Sequence, residues 1–389
     1  MNALLFTDAD VFAGTERHML DLSAALRRAG INSTIACPVP SPLAQRSEVQ
    51  GIDVLGIRKR GLIDWAAVAQ LRQQLLSGTD VIHAHNGRTA LNAAIAVRAA
   101  GRGHLVFTQH FLEPRHVSRR GISGIVSGIA HRWVRKRIDR FIAITSAVRD
   151  EMIARGECAP DSVSVVLNGI ADPTDQPMRD PQEVRAELGV AAELPLILCA
   201  ARLEQEKGIG TLIEALQLVR PRQRFQCVIA GEGSQRAVLQ HAINVAGLQE
   251  QVRLLGFRAD VLSLVQACDV FVLPSPAEPF GLVLLEAMAL SKPVVACSSG
   301  GPIEIVSAGE TGLLVPPSNA EALAAALRTL LENRDLAVRF GERGRARYER
   351  MFTSDRMGAE VLAVYRQVLG AGVEEADARM LGGQSAVES

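Results

Sequence analysis

Two glutamates, Glu278 and Glu286, stand eight positions apart in the mostly apolar segment SPAEPFGLVLLEAM, residues 275–288. The preceding run DVFVLP predicts a strand that ends at Pro274. The run FGLVLLEAMAL predicts a helix that starts near Phe280. Glu278 is therefore expected in the connecting loop, and Glu286 inside the helix.

The start of this predicted helix is a candidate anion site. Its first amides, around Gly281 to Val283, have no intrahelical acceptors and carry the positive end of the helix dipole. With Glu278 before these amides and Glu286 after them, the segment suits a ligand with a diphosphate between two hydroxylated rings. A nucleotide-sugar has this layout. The alternative interpretation is a solvated loop carboxylate and an unrelated charge on the helix surface.

Two cations favour the first interpretation. The segment ARLEQEKG places Arg202 and Lys207 directly after an apolar strand-like run, LILCAA. Cations at the end of such a strand can reach a phosphate. Each cation alone is more typical of a solvated loop, but together with the glutamates they could neutralise a leaving diphosphate without a metal ion.

The elements that must position these residues form two series. Short apolar runs alternate with helix-patterned stretches, from NALLFT to VSVVL and again from LILCAA to GLLVP. This pattern predicts two doubly wound α/β domains, each with a parallel sheet covered on both faces. A length of 389 residues fits about two domains. Ligands of such folds bind at the carboxyl ends of the strands.

The domain boundary is predicted near residue 170. The segment NGIADPTDQPMRDP, residues 168–181, has the composition of an interdomain connection. The expected domains are residues 1–170 and 171–352, with a last helix over 353–370 that packs back on the N-terminal domain. The tail, residues 371–389, is rich in Gly, Ser and acids and is predicted to be disordered.

Composition excludes several classes of protein. The 42 lysines and arginines balance 42 aspartates and glutamates, so no overall charge indicates a nucleic-acid partner. The sequence has no basic leader and no run of about 18 apolar residues, which predicts a cytoplasmic location. The six cysteines form no Cys-x-x-Cys pair and are expected to be buried thiols in a reducing compartment. Those within or at the end of apolar runs are Cys37, Cys199, Cys227 and Cys297.

Taken together, these residues resemble the retaining glycosyltransferases of the GT-B fold, family GT4 (group 1). The segment ARLEQEKG is similar to the family's Arg-x4-Lys-Gly, and EPFGLVLLEAM is similar to its Glu-x7-Glu motif. The segment at residues 300–317, GGPIEIVSAGETGLLVPP, is similar to the one that follows in the family. The resemblance covers nearly the whole chain. It implies two Rossmann-like domains that face a cleft, with the nucleotide-sugar bound by the C-terminal domain.

The resemblance also implies roles for single residues of the C-terminal domain. Glu278 corresponds to the glutamate that binds hydroxyls of the donor sugar, and Glu286 to the one that binds the ribose. Arg202 and Lys207 correspond to the diphosphate-binding cations. Backbone amides of the helix start are expected to meet sugar and phosphate, and a loop further along to hold the base: Phe280, Gly281 and Leu282, and Gly256, Phe257 and Arg258.

In the N-terminal domain the resemblance assigns a loop and a histidine. The segment FAGTERHML is similar to the loop that closes on the diphosphate, with Gly14 where backbone approaches phosphate. The family's usual Gly-Gly pair is Ala13-Gly14 here, which puts the close approach at residue 13 in doubt. His110, at the end of FTQH, corresponds to the histidine beside the donor sugar. The expected catalytic residues are His110, Glu278, Arg202 and Lys207.

Other polar residues leave alternatives open. His83 and His85 share one strand face and could bind a metal ion, but no third ligand of suitable spacing follows them. They are interpreted as cleft lining on the acceptor side. Asp8 and Asp10 form an Asp-x-Asp, the metal-holding pattern of GT-A transferases. Asn168, before Gly169, fits either a contact to the donor phosphate or a plain turn.

The sequence also bears on competing functions. The segment AGEGSQR has only the first two glycines of a dinucleotide-binding Gly-x-Gly-x-x-Gly, which argues against a dehydrogenase. A nucleotide-sugar epimerase on the same two-domain frame and a non-catalytic nucleotide-sugar-binding protein remain the alternatives.

The expected reaction is transfer of a hexose-type sugar with retention of configuration by front-face attack. No metal ion and no cofactor are expected, and UDP-linked donors come before GDP-linked ones. The expected acceptor is a glycan or a lipid-linked sugar in cell-envelope or polysaccharide synthesis.

Residues 115–140 carry eight arginines and lysines against one acid, Asp139, with apolar residues at helical spacing. This segment predicts peripheral contact with an anionic membrane, against the alternative of a solvated helix packed on its own sheet.

Overall fold

The computed structural model describes residues 1–58, 61–112 and 132–384, with the backbone alone from residue 371. The chain forms two compact units. The first contains Met1–Gly169 and the chain from Ser354 onward, and the second is Ile170–Thr353. The sequence placed the corresponding divisions at residues 170 and 353.

The first unit is built on a parallel sheet of seven described strands. Their order is β3-β2-β1-β4-β5-β6-β7, so the strand order reverses between β1 and β4. The strands are β1 Asn2–Phe6, β2 Asn32–Pro38, β3 Asp53–Ile57, β4 Val81–Ala84, β5 His104–Gln109, β6 Arg140–Ala143 and β7 Val163–Val165. The helices are Gly14–Arg28, Pro42–Val49, Trp65–Leu76, Gly87–Ala100, Ser146–Ala154 and Ser354–Gln384.

The second unit is built on a parallel sheet of six described strands in the order β10-β9-β8-β11-β12-β13. The strands are β8 Leu196–Ala200, β9 Gln226–Ala230, β10 Val252–Gly256, β11 Val270–Leu273, β12 Val294–Cys297 and β13 Gly312–Val315. The helices are Pro181–Glu187, Ile209–Val219, Arg236–Val245, Val261–Ala267, Leu282–Ala289, Pro302–Ile305, Ala320–Glu332 and Arg334–Met351. Short 3-10 turns of this unit lie at Pro173–Asp175 and Gln205–Lys207, and another, Pro160–Ser162, belongs to the first unit. The two sheets confirm the predicted pair of doubly wound parallel domains.

Central strands of both sheets are apolar along their whole length because both faces are covered. Every residue of β8, β11 and β12 is buried. Of the six cysteines, which are all free thiols, only Cys158 is partly exposed. Burial raises the pKa of the Cys199 thiol to about 12. The expectation of buried thiols is confirmed for five of the six cysteines, including the four in apolar runs, and is wrong for Cys158.

The last helix, Ser354–Gln384, belongs to the core of the first unit. Met357 and Tyr365 are fully buried there, and a Cβ on Gly358 would lie 2.7 Å from the Cβ of Ala25. The helical backbone continues past Ala371, where the sequence predicts a disordered tail to begin. The residues EEADARML have high helix propensity, which accounts for the continuation.

Candidate functional site

The predicted cations and the first glutamate lie at the point where the strand order of the second unit reverses. The loop after β8 carries Arg202 and Lys207, and the loop after the neighbouring strand β11 carries Glu278. Lys207 Nζ donates to Glu278 Oε2 over 2.7 Å. The two side chains are 18% and 11% exposed, so this ion pair is largely shielded from water.

Gly208 sets the distance between these two loops. It has φ +64°, and a Cβ at this position would lie 2.3 Å from the carbonyl oxygen of Pro274. Only glycine permits this approach without a shift of the backbone. The glycine of the Lys-Gly pair therefore brings Lys207 against the end of β11.

The loop that carries Glu278 is clamped on its other side by Gly301. The Gly301 amide donates to the Glu278 carbonyl over 2.9 Å. A Cβ on Gly301 would lie 2.3 Å from the Cα of Phe280, whose side chain is buried. The loop and the helix that follows it are thus fixed by backbone contacts before any ligand binds.

The helix begins at Leu282, two residues later than the sequence predicts, because Gly281 adopts φ 103° and ends the preceding loop. As predicted, Glu278 lies in the loop and Glu286 in the helix, where it is half-buried. The first amides of the helix therefore follow directly after a glycine, at the carboxyl edge of the sheet. This is the geometry of an anion site between two carboxylates.

Arg202 is held much more loosely than Lys207. Its guanidinium pairs with Glu206 at 2.9 Å, and the two side chains are 63% and 58% exposed. Exposed pairs of this kind are worth little, about 0.2–1 kcal/mol. Arg202 is therefore free to exchange Glu206 for a ligand.

Two glycines that support this loop were not recognised from the sequence. A Cβ on Gly231 would lie 1.9 Å from the Ala201 carbonyl oxygen, and a Cβ on Gly233 would lie 2.4 Å from that of Leu203. The available signal was the pair of glycines in AGEGSQR, a segment that otherwise resembles an incomplete dinucleotide motif. Their role in the structure is to let the loop after β9 pack against the loop that carries Arg202.

The side chain of Glu204 ties the same two loops together. Its carboxylate accepts from the Ser234 amide over 3.0 Å and from the Ser234 hydroxyl over 2.6 Å. These hydrogen bonds lower the pKa of Glu204 below its ordinary value.

The predicted base-binding segment lies at the carboxyl end of β10, at the same sheet edge. Gly256 has φ +76°, and the Phe257 side chain is 71% exposed. Arg258 is committed to Asp260 and Glu187, each at 2.7 Å. The Arg258 guanidinium lowers the pKa of Asp260 to about 2. The Arg258 side chain is therefore held in place by two carboxylates of the protein.

In the first unit, Gly14 is exposed and begins the helix Gly14–Arg28. Ala13 precedes it in extended backbone, φ −136°, which any residue adopts. The Ala13 amide donates to Glu16 Oε2 over 3.0 Å. Alanine in place of the family's first glycine therefore causes no backbone strain.

His110 lies in a cluster of buried histidines. It follows β5, and His85 follows the neighbouring strand β4. His85 Nδ1 and His110 Nε2 are 3.1 Å apart and share a hydrogen bond. His18, from the helix Gly14–Arg28, packs edge-on against both rings, with centroid distances of 4.8 Å to His110 and 5.4 Å to His85.

His83 has a different environment from His85, although the sequence places both on one strand face. Its two ring nitrogens are engaged by the Tyr365 hydroxyl at 2.7 Å and the Thr108 hydroxyl at 2.6 Å. The partner that the sequence analysis missed for His85 is His18. His18 could not be recognised from local sequence. It lies one turn into the helix Gly14–Arg28, and only the folding of the chain brings it to the ends of β4 and β5.

Burial lowers the pKa of all four histidines. For His18 the pKa falls to about 4, and the nearby Asn168 side chain, which does not reach hydrogen-bonding geometry with the ring, opposes this shift only in part. Neighbouring histidines lower the pKa values of His83, His85 and His110 further. These rings are therefore neutral at pH 7.

Asp8, the first carboxylate of the Asp-x-Asp, has structural partners. It pairs with Arg88 at 2.9 Å and accepts from the side-chain amide of Asn86 over 2.9 Å. Asn86 in turn caps the helix Gly87–Ala100. A carboxylate with these partners favours a structural role for Asp8 over a metal site.

Most of the basic segment at residues 115–140 lies outside the described residues, which resume at residue 132. In the described part, the Arg137 guanidinium lies 3.7 Å from the centroid of the Trp133 ring. Arg140 donates to the Ser164 hydroxyl over 3.1 Å. Among the described helices, none combines the length and the apolar character needed to cross a membrane.

Comparison with known proteins agrees with this architecture. The profile described as glycosyl transferases group 1 matches residues 180–347, and the one described as glycosyltransferase family 4 matches residues 12–172. The α-maltose-1-phosphate synthase of Mycolicibacterium smegmatis is 32% identical over 307 residues, 74% of this chain and 79% of that protein. The glycogen synthase of Mycobacterium tuberculosis is 32% identical over 379 residues, 89% of this chain and 88% of that protein.

A similar solved structure is that of Anabaena HepE in complex with UDP-glucose, with a TM-score of 0.80 at 26% identity. The match covers 94% of this chain and all of that one. A glycosyltransferase from Rickettsia africae shares the fold, with a TM-score of 0.81 at 21% identity, over 95% of this chain and 98% of that one. The GT-B fold, the two profiles and the identity to full-length relatives establish that the chain belongs to glycosyltransferase family 4, the group 1 glycosyl transferases.

Proposed function

We propose that this glycosyltransferase moves a hexose-type sugar from a UDP-sugar to a hydroxyl of a glycan or lipid-linked acceptor, with retention of anomeric configuration. The observation that carries the proposal is the Lys207–Glu278 ion pair beside the N-terminus of the helix Leu282–Ala289. A cation, a carboxylate and helix amides lie together at the sheet edge where such folds bind ligands. The likeness to HepE, solved with UDP-glucose, supports a UDP-linked donor.

In this proposal each residue has one task in donor binding. The amides of Phe280, Gly281 and Leu282 meet the sugar and the phosphates, and Arg202 and Lys207 neutralise the diphosphate. Glu278 accepts hydrogen bonds from sugar hydroxyls. Glu286 binds the ribose, and the backbone of Gly256 to Arg258 surrounds the base.

The chemical step follows from these assignments. The acceptor hydroxyl attacks the anomeric carbon on the side of the leaving group, and the bond from that carbon to the β-phosphate oxygen breaks. The departing phosphate oxygen takes the proton of the hydroxyl, so no side chain acts as nucleophile or base. Charge that grows on the diphosphate is stabilised by Arg202, Lys207 and the helix amides, the largest contribution expected. His110 orients the reacting sugar, and no metal ion takes part.

The acceptor side of the proposal includes a membrane. A lipid-linked acceptor and the basic residues 115–140 suit peripheral binding to the inner face of an anionic membrane. Vesicle sedimentation at low and high salt tests this part alone. Anionic vesicles should retain the protein at low salt, and a variant with Arg119, Arg120, Arg135 and Arg137 changed to Ser should be retained less. Equal retention by neutral vesicles contradicts the electrostatic contact.

A donor panel tests the proposed function directly. Thermal unfolding is followed with UDP-hexoses, GDP-hexoses, UDP and GDP, because a bound ligand raises apparent stability with the logarithm of its saturation. A UDP-hexose should stabilise the protein most and should be hydrolysed slowly or transferred to an added glycan. Interconversion of two UDP-hexoses without release of UDP identifies an epimerase instead. Binding without any turnover across the glycan panel identifies a non-catalytic binding protein.

A further inference from the structure

His18, His85 and His110 converge although they come from three separate parts of the first unit. His18 lies in the helix after β1, and the other two follow the adjacent strands β4 and β5. One ring nitrogen from each lies within 4.8 Å of those of the other two. All three side chains are buried, at 2%, 1% and 6% exposure.

The cluster contains more nitrogen atoms than hydrogen bonds. Both ring nitrogens of His18 and Nε2 of His85 are buried without a hydrogen-bond partner, as is the side-chain oxygen of Asn168. An unpartnered polar group in the interior costs about 1–3 kcal/mol. Packing alone does not account for three polar rings in this position, because apolar residues of similar size would avoid that cost.

The distances fit the coordination shell of a metal ion. Two nitrogens bound at about 2.0–2.1 Å to a tetrahedral Zn²⁺ are about 3.3 Å apart. His85 Nδ1 and His110 Nε2 are already 3.1 Å apart. The hydrogen that they share would move to the opposite nitrogen of its own ring, so the two imidazoles remain neutral. Small side-chain rotations then bring one nitrogen of His18 to the same ion.

We propose that His18, His85 and His110 form a binding site for a divalent transition metal ion, with Zn²⁺ as the reference ion. Three imidazoles with one open position are a common zinc ligand set. Neutral nitrogen ligands without a carboxylate select transition metals over Mg²⁺ or Ca²⁺. His83 is not a ligand, because Tyr365 and Thr108 occupy its two nitrogens.

The site has a regulatory consequence that rests on the proposed function. When a metal ion is bound to His110, the imidazole ring no longer orients the sugar in the proposed reaction. Zinc at this site therefore inhibits transfer, although the transfer itself needs no metal ion. Chelation releases His110 and restores the activity.

Cobalt binding tests the site without any substrate. Tag-free protein is stripped with EDTA, dialysed and titrated with Co²⁺, whose tetrahedral complexes absorb visible light far more strongly than octahedral ones. We expect one tetrahedral Co²⁺ per chain, displaced by Zn²⁺. His18→Ala and His18→Asn should each weaken binding at least about 10-fold. Circular dichroism and urea unfolding show whether each variant is folded.

Two variants serve as matched controls. His241→Ala removes an exposed histidine of the second unit, and Cys158→Ser removes the one partly exposed thiol. Both should bind Co²⁺ like the wild type. An octahedral spectrum, no binding, or unchanged affinity in the folded His18 variants overturns the proposal. Calorimetry with UDP on the same samples reports on the donor site separately, so a negative cobalt result leaves the proposed function standing.

Discussion

Lys207 Nζ lies 2.7 Å from Glu278 Oε2, so the cation expected to meet the diphosphate and the carboxylate expected to meet the sugar are bound to each other. Both side chains are mostly shielded from water. The ion pair holds both side chains in place before a donor binds, and a bound donor can interact with both charged groups at once. A substitution at either residue should therefore change the contribution of the other to the stability of the fold.

The coupling between Lys207 and Glu278 should be measurable in the free energy of unfolding. Lys207→Met and Glu278→Gln should each cost about 1–3 kcal/mol because each leaves a shielded partner unpaired. The double variant should lose less than the sum by about 0.5–3 kcal/mol. Urea unfolding of the four proteins measures this. The exposed Arg202–Glu206 pair, changed in the same way, is the control and should couple by less than about 1 kcal/mol. Strict additivity at Lys207 and Glu278 contradicts the ion pair.

The two cations should matter for catalysis without any metal ion. Arg202→Ala or Lys207→Ala should lower kcat by roughly 10² to 10³, by analogy with loss of one transition-state donor. Steady-state transfer assays with the best donor of the panel measure the change. EDTA should leave the wild type active. Complete inhibition by EDTA that Mn²⁺ reverses would show that a metal ion takes part and would return attention to Asp8 and Asp10.

The two carboxylates should separate by the part of the donor they bind. Because Glu286 is assigned to the ribose, Glu286→Ala should weaken the binding of bare UDP. Glu278→Ala should spare UDP binding and lower turnover of the sugar-bearing donor. Calorimetry with UDP and transfer assays with the UDP-sugar test the two halves. If both variants lose UDP affinity equally, the assignment is wrong.

Two glycines in the same segment should respond in opposite ways to a methyl group. Gly208→Ala should destabilise the protein by about 2 kcal/mol or more, since the new Cβ meets the Pro274 carbonyl and φ is positive. Gly210→Ala meets nothing within 4 Å in the helix Ile209–Val219 and should stabilise by up to about 1 kcal/mol. Urea midpoints and UDP affinity of both variants measure the effect. A neutral Gly208→Ala contradicts the close approach of the two loops.

The buried histidines predict a loss of stability in acid. The pKa of His18 is about 4 in the folded protein and 6.5 when exposed, so the unfolded chain binds the proton more tightly. The contribution of neutral His18 to the free energy of unfolding is therefore complete above pH 6.5 and is lost as pH falls toward 4. Between pH 7 and pH 5, His18 alone should cost about 2 kcal/mol. Urea unfolding with EDTA present, for wild type and His18→Leu, isolates this share. Parallel pH profiles for the two proteins contradict it.

Much of the second unit's site follows from local sequence. Strand, loop and helix are consecutive around Glu278 and Glu286, so apolar runs and breakers suffice to place one in the loop and the other in the helix. The start of that helix was two residues off because only the structure shows the conformation of Gly281. The same local patterns predicted both parallel sheets.

Contacts between distant segments could not be predicted in this way. His18 and His110 are far apart in the chain, and they meet only because β1, β4 and β5 are neighbours in the sheet. The packing roles of Gly231 and Gly233 depend equally on which loop lies across them. The partners of Arg258 come from Asp260 nearby and from Glu187 much earlier in the chain. Periodicity within a segment carries no information on such pairings.

The second unit begins and ends at one place. The Ile170 amide donates to the Phe352 carbonyl over 3.0 Å, and Ile170 pairs with Thr353 as a short parallel bridge. The Tyr348 hydroxyl donates to the Ile170 carbonyl over 3.1 Å. The two chain segments of the first unit also meet at this boundary, where the Gly169 amide lies 3.2 Å from the sulfur of Met357. Residues 170–353 therefore form a cassette whose two ends lie together in space, and two crossovers, one at each end of the corresponding gene segment, would exchange it whole between relatives. Recombination at these points offers evolution a way to change one half of such an enzyme while the core of the other half stays intact.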